Sequence, residues 1–118
     1  MHEVHIDPSS HPNHIYRIDN FSIPEAARSE FERAMRRSLA FLQTQPGFRG
    51  HVAFSKLGGP TKFQYVTIAV WESQAAFEHA KDAMKVYAKE IGFDAAAKLA
   101  EWGAEAELGA YLASPDLQ

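Results

Sequence analysis

The segment 63–71, FQYVTIAVW, most constrains what this chain can fold into. β-branched and aromatic side chains dominate it, which is typical of a β-strand. Successive side chains of a strand point to opposite faces of its sheet, and this segment is apolar on both. A strand of that kind needs cover on both faces, so the sequence predicts a central strand in a sheet covered on both sides. One face carries Val66, Ile68 and Val70, and the other carries Phe63, Tyr65, Ala69 and Trp71.

Three further segments have strand character. Residues 15–23 and 105–113 alternate apolar and polar side chains, and residues 48–57 form an apolar-rich run that ends at a Gly-Gly-Pro turn. Glycine and proline punctuate each of these runs, which favours short strands joined by tight connections.

Two long helices and one short helix separate the strands. Residues 22–25 have the spacing of a capping box, with Ser22 as the cap and Glu25 reaching back to it. The helix that follows has one apolar stripe, and the Gln-Pro-Gly sequence at 45–47 ends it. Ser73 is predicted to cap a second helix that runs to about residue 91, and Asp94 is predicted to start a short third helix.

The predicted order is therefore strand, helix, strand, strand, helix, strand. Right-handed crossovers place both long helices on the same sheet face, which gives an α+β, ferredoxin-like βαββαβ sandwich with an antiparallel sheet. The second face would expose an apolar patch that soluble monomers avoid. The simplest cover is a second copy of the chain, so we expect a homodimer forming a dimeric α+β barrel. The aromatic face of the third strand would then lie between the two sheets, whereas a monomer with helices on both faces is the alternative.

Length and composition set the remaining limits. The chain has 118 residues, which fits a single domain at 15–113 with a loose, His- and Pro-rich extension at 1–14 and a short tail at 114–118. It has no cysteine, which excludes disulfides, thiolate metal sites and a cysteine nucleophile. A net charge of -3 argues against a nucleic-acid partner. No apolar run reaches the ~20 residues that span a bilayer, and no signal peptide is evident, so we expect a cytoplasmic protein without membrane contact.

Two motifs give the chain a resemblance to a known family. Residues 45–50, QPGFRG, are similar to the junction that leads into strand two in the antibiotic biosynthesis monooxygenase family. Residues 70–73, VWES, followed by Ala76-Phe77, are similar to the family element at the end of strand three. The resemblance covers residues 15 to about 113. It implies a dimer with a cavity between each sheet and its helices, and in some members oxidation of phenols by dioxygen with no metal or flavin.

Candidate site residues follow from that resemblance and from the chemistry of the side chains. Trp71 matches a family tryptophan that lines the cavity, while Thr67 and Phe77 stand where some oxygenases have Asn and Tyr. Tyr65 and Asn20 are candidate polar groups, and His51 is a candidate base near neutral pH. The expected pocket lies between the sheet and the second helix. Its candidate catalytic residues are Trp71, Tyr65, Asn20 and His51, and its other candidate walls are Phe63, Thr67, Phe77, His79 and Tyr87.

No cofactor or metal is expected. The haem-degrading relatives have a Trp three residues after the Phe of the second motif, where this chain has Ala80, and a His further along that helix. His79 is the last histidine in the chain and comes too early for that role, so haem degradation is disfavoured. The spacing of the N-terminal histidines fits no closed zinc site.

Two functions remain open at this point. One is a cofactor-independent monooxygenase-like protein acting on a small aromatic or quinol-type substrate. The other is a barrel of the same fold that binds or senses a small molecule without turnover, which the departures at Thr67 and Phe77 favour.

Overall fold

The computed structural model describes residues 4–118, in which the predicted strand and helix order is confirmed. Its four strands form one antiparallel sheet in the order β2-β3-β1-β4, and the fold is ferredoxin-like α+β. The elements are β1 (Ile15–Ser22), α1 (Arg28–Leu42), β2 (Phe48–Ser55), β3 (Tyr65–Trp71), α2 (Gln74–Glu90), α3 (Ala95–Trp102) and β4 (Glu105–Leu112), with 3-10 turns at Glu25–Ala27 and Pro115–Leu117.

Cross-strand pairing shows which side of β3 the helices cover. Phe21 of β1 pairs with Tyr65 of β3, and the Phe21 ring packs on Phe31 of α1 with the ring centroids 5.1 Å apart. Since paired residues share a sheet face, the aromatic side of β3 lies under the helices. The prediction that this side is buried between two sheets was wrong. The face turned away from the helices carries Val66, Ile68 and Val70 instead.

The core under the helices is divided into two clusters, one at each end of the sheet. The first contains Phe21, Ile23, Ala27 and Phe31, and the second contains Trp71, Phe77 and Ala80. Both long helices contribute to this layer, α1 through the first cluster and α2 through the second. The middle of the layer, between the clusters, is less completely filled.

The helix starts follow the predicted caps in two of three cases. The Ser73 hydroxyl accepts the Ala76 N–H at 3.1 Å, and the Asp94 carboxylate accepts the Ala97 N–H at 3.1 Å, so both of these caps are confirmed. The capping box at Ser22 was wrong. Pro24 precedes a 3-10 turn without a side-chain cap, and α1 begins only at Arg28.

Each strand is shorter than predicted, β1 and β4 by one residue and β2 and β3 by two. β3 begins at Tyr65 because Phe63 still belongs to the preceding turn, where its N–H donates to the Thr61 hydroxyl at 3.3 Å. β2 ends at Ser55, and Leu57 beyond it projects fully into solvent. Within the described residues, no helix is both long and apolar enough to cross a membrane.

The described part of the N-terminal extension, residues 4–14, forms turns without a helix or strand. His2 lies outside the described residues. Tyr16 and Val70 pair across β1 and β3 on the sheet face away from the helices, and both are buried. Burial, and to a lesser extent the Asp7 carboxylate, raise the pKa of the Tyr16 hydroxyl. The extension therefore lies close to its own sheet at this end of the outer face.

Candidate functional site

A cavity of about 250 Å³ lies between the sheet and the helices, in the space between the two core clusters. We call it the Trp71 cavity. Its walls come from β1, β2 and β3 below and from α1 and α2 above, so each layer of the fold contributes. Its lining residues are Arg17, Asp19, Met35, Ser38, Leu39, Leu42, His51, Thr67, Ala69, Trp71, Phe77, Ala80, Lys81, Met84 and Lys85.

Four of the predicted site residues meet in this cavity. Trp71 and Thr67 project from β3 on the face under the helices, and both are buried. His51 enters from β2, where its Cα is paired with that of Ala69. Phe77 closes the wall from the first turns of α2. Strand alternation put Thr67 and Trp71 on one face, and the β2–β3 register brought His51 to the same face.

Tyr65 faces an adjoining space rather than the Trp71 cavity. Its hydroxyl donates to the Glu32 carboxylate at 3.2 Å, and its ring lies 5.4 Å from that of Phe31. It lines a neighbouring pocket that shares His51 and Thr67 with the Trp71 cavity. Tyr65 is therefore close to the site without being part of its wall.

The structure brings the remaining predicted residues elsewhere. Asn20 pairs with Val66, so its side chain lies on the sheet face away from the helices. His79 is exposed on α2. Tyr87 stacks on Phe41 with centroids 4.3 Å apart, and neither Tyr87 nor Phe63 lines the Trp71 cavity.

Among residues 4–118, His51 is the one histidine in the wall of the Trp71 cavity. Its ring is half-buried, and burial lowers its pKa from the usual value. The neutral imidazole is therefore favoured at neutral pH, which leaves a ring nitrogen able to accept a proton.

A charged pair that was not among the predicted site residues lies on the floor of the cavity. Arg17 and Asp19 are two residues apart on β1, so both point toward the helices, and Arg17 Nε donates to Asp19 Oδ1 at 2.6 Å. Their side chains are 27% and 18% exposed. Burial raises the pKa of the Asp19 carboxyl, against the opposing effects of the Arg17 guanidinium and of a hydrogen bond from the Gly109 backbone N–H.

A signal for this pair was present in the sequence. Ile15 and Phe21 are apolar and share a face with Arg17 and Asp19 under strict alternation. Opposite charges at i and i+2 between two apolar residues of the same face indicate a polar interruption of a buried surface, because such a surface otherwise excludes charge.

A second cavity, of about 270 Å³, lies on the other side of the charged pair. It reaches under α3, where Phe93, Leu99 and Trp102 close it, and its wall is almost entirely apolar. Arg17 and Asp19 line both cavities, so the pair stands where the two meet. Among the described residues, no group of three or more His, Asp or Glu side chains could hold a metal ion.

The family comparison agrees with this architecture. The model of the antibiotic biosynthesis monooxygenase family matches residues 15–88, well over half of the chain. The chain belongs to the antibiotic biosynthesis monooxygenase family. The matched segment contains every residue that lines the Trp71 cavity, whereas α3 and β4, which border the second cavity, lie beyond it.

Solved structures extend the comparison. SnoaB from Streptomyces nogalater, described as a cofactor-independent oxygenase, is 27% identical with a TM-score of 0.65, over 86% of this chain and 94% of SnoaB. The haem degrader MhuD from Mycobacterium tuberculosis is 22% identical with a TM-score of 0.60, over 88% of this chain and 99% of MhuD, and shares the fold. A comparison with curated proteins finds no match. The family and the oxygenase neighbour together support a monooxygenase-like role.

Proposed function

We propose that this family member is a cofactor-independent monooxygenase that oxidises a small phenol or quinol-type aromatic compound in the Trp71 cavity. The observation that carries the proposal is the cavity itself, a mainly apolar space under two helices whose sheet side presents Arg17, Asp19, His51 and Thr67. Ligand sites of small aromatic compounds have this composition. The similarity to SnoaB, a cofactor-independent oxygenase, supports the same chemistry.

The reaction needs little from the protein beyond a dry, correctly charged environment. Loss of the phenolic proton gives an electron-rich phenolate, which can itself reduce dioxygen. A ring C–H and the O–H bond break, a new carbonyl forms with one oxygen atom, and the other oxygen leaves as water. The substrate supplies all the electrons. The protein would favour the ionised phenol and exclude bulk water.

Residues of the cavity are suited to these tasks. Trp71 offers a flat, buried wall against which an aromatic ring can stack. The Thr67 hydroxyl lies on the strand position paired with Asp19, so polar groups are available beside a substrate oxygen. The neutral His51 imidazole could receive a proton from the cavity.

Trp71→Phe is expected to slow dioxygen-dependent conversion of 9-anthrol, the phenolic form of anthrone, to anthraquinone and water about tenfold or more while leaving the fold intact. The smaller ring loses the indole N–H and part of the wall, and one hydrogen bond to developing charge is worth roughly 1.5–3 kcal/mol. Oxygen uptake and absorbance of the quinone product would measure the rate, with buffer autoxidation subtracted.

Tyr65→Phe serves as the comparison, because it also removes one polar atom from an aromatic ring but does so outside the cavity wall. A much smaller change is expected for it. If the unmodified protein and both variants oxidise the compound no faster than buffer, the enzyme proposal fails and a non-catalytic binding barrel becomes the better account.

The outer face of the sheet supports a homodimer as the working form. Phe54 is 52% exposed there, beside the half-buried side chains of Val52, Val66 and Ile68. An apolar surface of this kind is best covered by the same surface of a second copy, related by a two-fold axis.

Phe54→Glu is expected to convert the dimer into a monomer, because two-fold symmetry would bury the new carboxylate in both copies at once. Light scattering at micromolar concentration would measure the mass. Leu57→Glu is the matched control, since Leu57 is equally apolar and fully exposed but lies in the turn after β2. A monomeric mass for the unmodified protein, or equal effects of both substitutions, would contradict this assignment.

A further inference from the structure

The Arg17–Asp19 pair lies on the floor of the Trp71 cavity and in the wall of the adjoining cavity under α3, so a molecule bound in either one can contact it. Most charge pairs of this chain are on the surface, where they contribute little. This pair is largely buried, and its two groups are in direct contact at 2.6 Å. A charge pair under an apolar helix layer is costly to bury, so an apolar pair would fill the space at lower cost.

We propose that Arg17 and Asp19 ionise and hold the substrate, Asp19 taking the phenolic proton and Arg17 binding the phenolate that results. This inference rests on the proposed function and specifies how its substrate is recognised, namely as an acidic aromatic hydroxyl. The substrate O–H bond breaks and a new O–H bond forms on the Asp19 carboxylate. The guanidinium then exchanges one anionic partner for another, so the net charge of the cavity is unchanged.

The surroundings of the pair favour this exchange. The raised pKa of the Asp19 carboxyl makes it a better proton acceptor than an ordinary aspartate. Arg17 cannot lose its own charge, so it remains available to the phenolate. Its guanidinium carbon is 5.9 Å from the centre of the Phe77 ring, which places the cation next to the aromatic wall of the Trp71 cavity.

Three other titratable groups face the same space. They are His51 on β2 and two lysines of α2, Lys81 and Lys85. The Lys81 ammonium is 5.3 Å from the Phe77 ring centre and 3.5 Å from the Glu78 carboxylate at the surface, so it lies toward the mouth. Asp19 differs from His51 in having a cation, Arg17, in direct contact, and this cation can receive the phenolate.

The meeting of two cavities at the pair agrees with this role. A hydroxyl held by Arg17 can have its ring in the Trp71 cavity, in the apolar space under α3, or across both. The pair would therefore fix the position of the ionised oxygen, while the walls decide how large a ring system fits. The substrate class expected is a phenol with its acidic hydroxyl near the middle of the molecule.

The test uses 4-nitrophenol, a phenol that resists oxidation by dioxygen and absorbs differently when ionised. Its spectrum is titrated with pH in the presence and absence of saturating protein. Binding to the unmodified protein should lower the apparent pKa of the probe by about one unit or more, as an adjacent opposite charge does. Arg17→Met should abolish this shift, and Arg17→Lys, which keeps the charge, should retain part of it.

Asp19→Asn separates proton acceptance by Asp19 from phenolate binding by Arg17. It should bind the phenolate at least as tightly as the unmodified protein, because Arg17 then has no competing anion. In the oxidation assay it should be slower by about a hundredfold, the usual contribution of a positioned general base. Arg33→Met and Asp82→Asn are matched controls on exposed helix positions and should change neither measurement. Circular dichroism would establish that each variant is folded.

The outcomes distinguish this inference from the function on which it rests. A probe shift that depends on Arg17, without any oxygen uptake, supports the pair as a phenolate site and contradicts the oxygenase. Oxygen uptake that Arg17→Met and Asp19→Asn leave unchanged overturns the role of the pair and keeps the oxygenase. Three further results would overturn the role of the pair. One is an unchanged pKa of 4-nitrophenol in the presence of the unmodified protein, and another is an equal loss of probe binding in Arg17→Met and Asp19→Asn. The third is an oxidation rate that falls in His51→Gln but not in Asp19→Asn.

Discussion

Gly47→Ala is expected to destabilise the protein by about 2–5 kcal/mol. Two effects combine at this position. The backbone has φ +84°, which side-chain-bearing residues adopt at a cost of roughly 1–2 kcal/mol. An added Cβ would also lie 2.5 Å from the Ala76 Cβ, and overpacking of that kind costs roughly 1–3 kcal/mol.

The clash cannot be relieved by a side-chain rotation. Ala76 has no atoms beyond Cβ, and it lies in the first turn of α2, where its N–H is bound to the Ser73 cap. The Gly47 carbonyl accepts the Glu72 N–H at 2.9 Å, which fixes the loop against the end of β3. Either α2 or the loop between α1 and β2 must therefore move. The two family-like motifs meet at this contact, so their residue types have a common physical reason.

Two other glycines separate the strain from the clash. Gly59 has φ +105° with no atom within 4 Å of an added Cβ, so Gly59→Ala should cost only the backbone strain, about 1–2 kcal/mol. Gly58 has neither a positive φ nor a close neighbour, so Gly58→Ala should change stability by less than about 0.5 kcal/mol. Urea unfolding at one protomer concentration would measure all three. Equal losses at Gly47 and Gly59 would contradict the clash.

Local sequence signals predicted the elements well, because they act over a few residues. Ser73 and Asp94 cap helices as expected, since each has a free helix N-terminus directly after it. Ser22 had the capping-box spacing with Glu25, yet its side chain caps no helix. The Ile23 N–H is instead bound by the Gln64 side chain at 2.7 Å, a contact 41 residues away in sequence. A long-range hydrogen bond of this kind has no local signature.

The faces of β3 show a second limit. Alternation correctly divided the strand into two sets of side chains, but it could not tell which set the helices cover. That choice depends on the register between β1 and β3, which pairs Phe21 with Tyr65 and so places the aromatic set under α1. The register is a property of the assembled sheet. It places the aromatic side chains of β3 under the helices and not in an interface between two copies.

The site residues were likewise predicted only in part. The family-like motif and strand alternation led to Trp71, Thr67 and Phe77, which do share one cavity. Arg17 and Asp19 were missed because the alternation of β1 was used only to predict a strand, without asking which of its side chains face the helices. In the structure the charged pair faces inward, and Tyr16 lies on the outer face. Buried charges violate the usual pattern, so a pattern-based analysis overlooks them where they matter most.

Trp71→Ala is expected to cost about 3–5 kcal/mol, the range found when a large core aromatic is removed. Trp71 is 2% exposed and belongs to the cluster with Phe77 and Ala80. The Phe48 ring meets it edge-on at a centroid distance of 5.4 Å, which adds a favourable aromatic contact. The loss should fall in the upper part of the range, because the adjoining cavity prevents the neighbours from closing the new space.

Trp102 provides the matched comparison within the same chain. It is half-buried at the end of α3, and its indole N–H donates to the Glu30 carboxylate on the surface at 2.8 Å. Trp102→Ala should therefore cost less, about 1–3 kcal/mol, since part of the ring is already in solvent and a surface hydrogen bond is worth about 1 kcal/mol. Urea unfolding at a fixed protomer concentration would compare the two variants, because the stability of a homodimer, the form proposed above, depends on concentration. A smaller loss for Trp71→Ala than for Trp102→Ala would show that the second cluster is not a stabilising core, and that Trp71 is held in place for ligand contact alone.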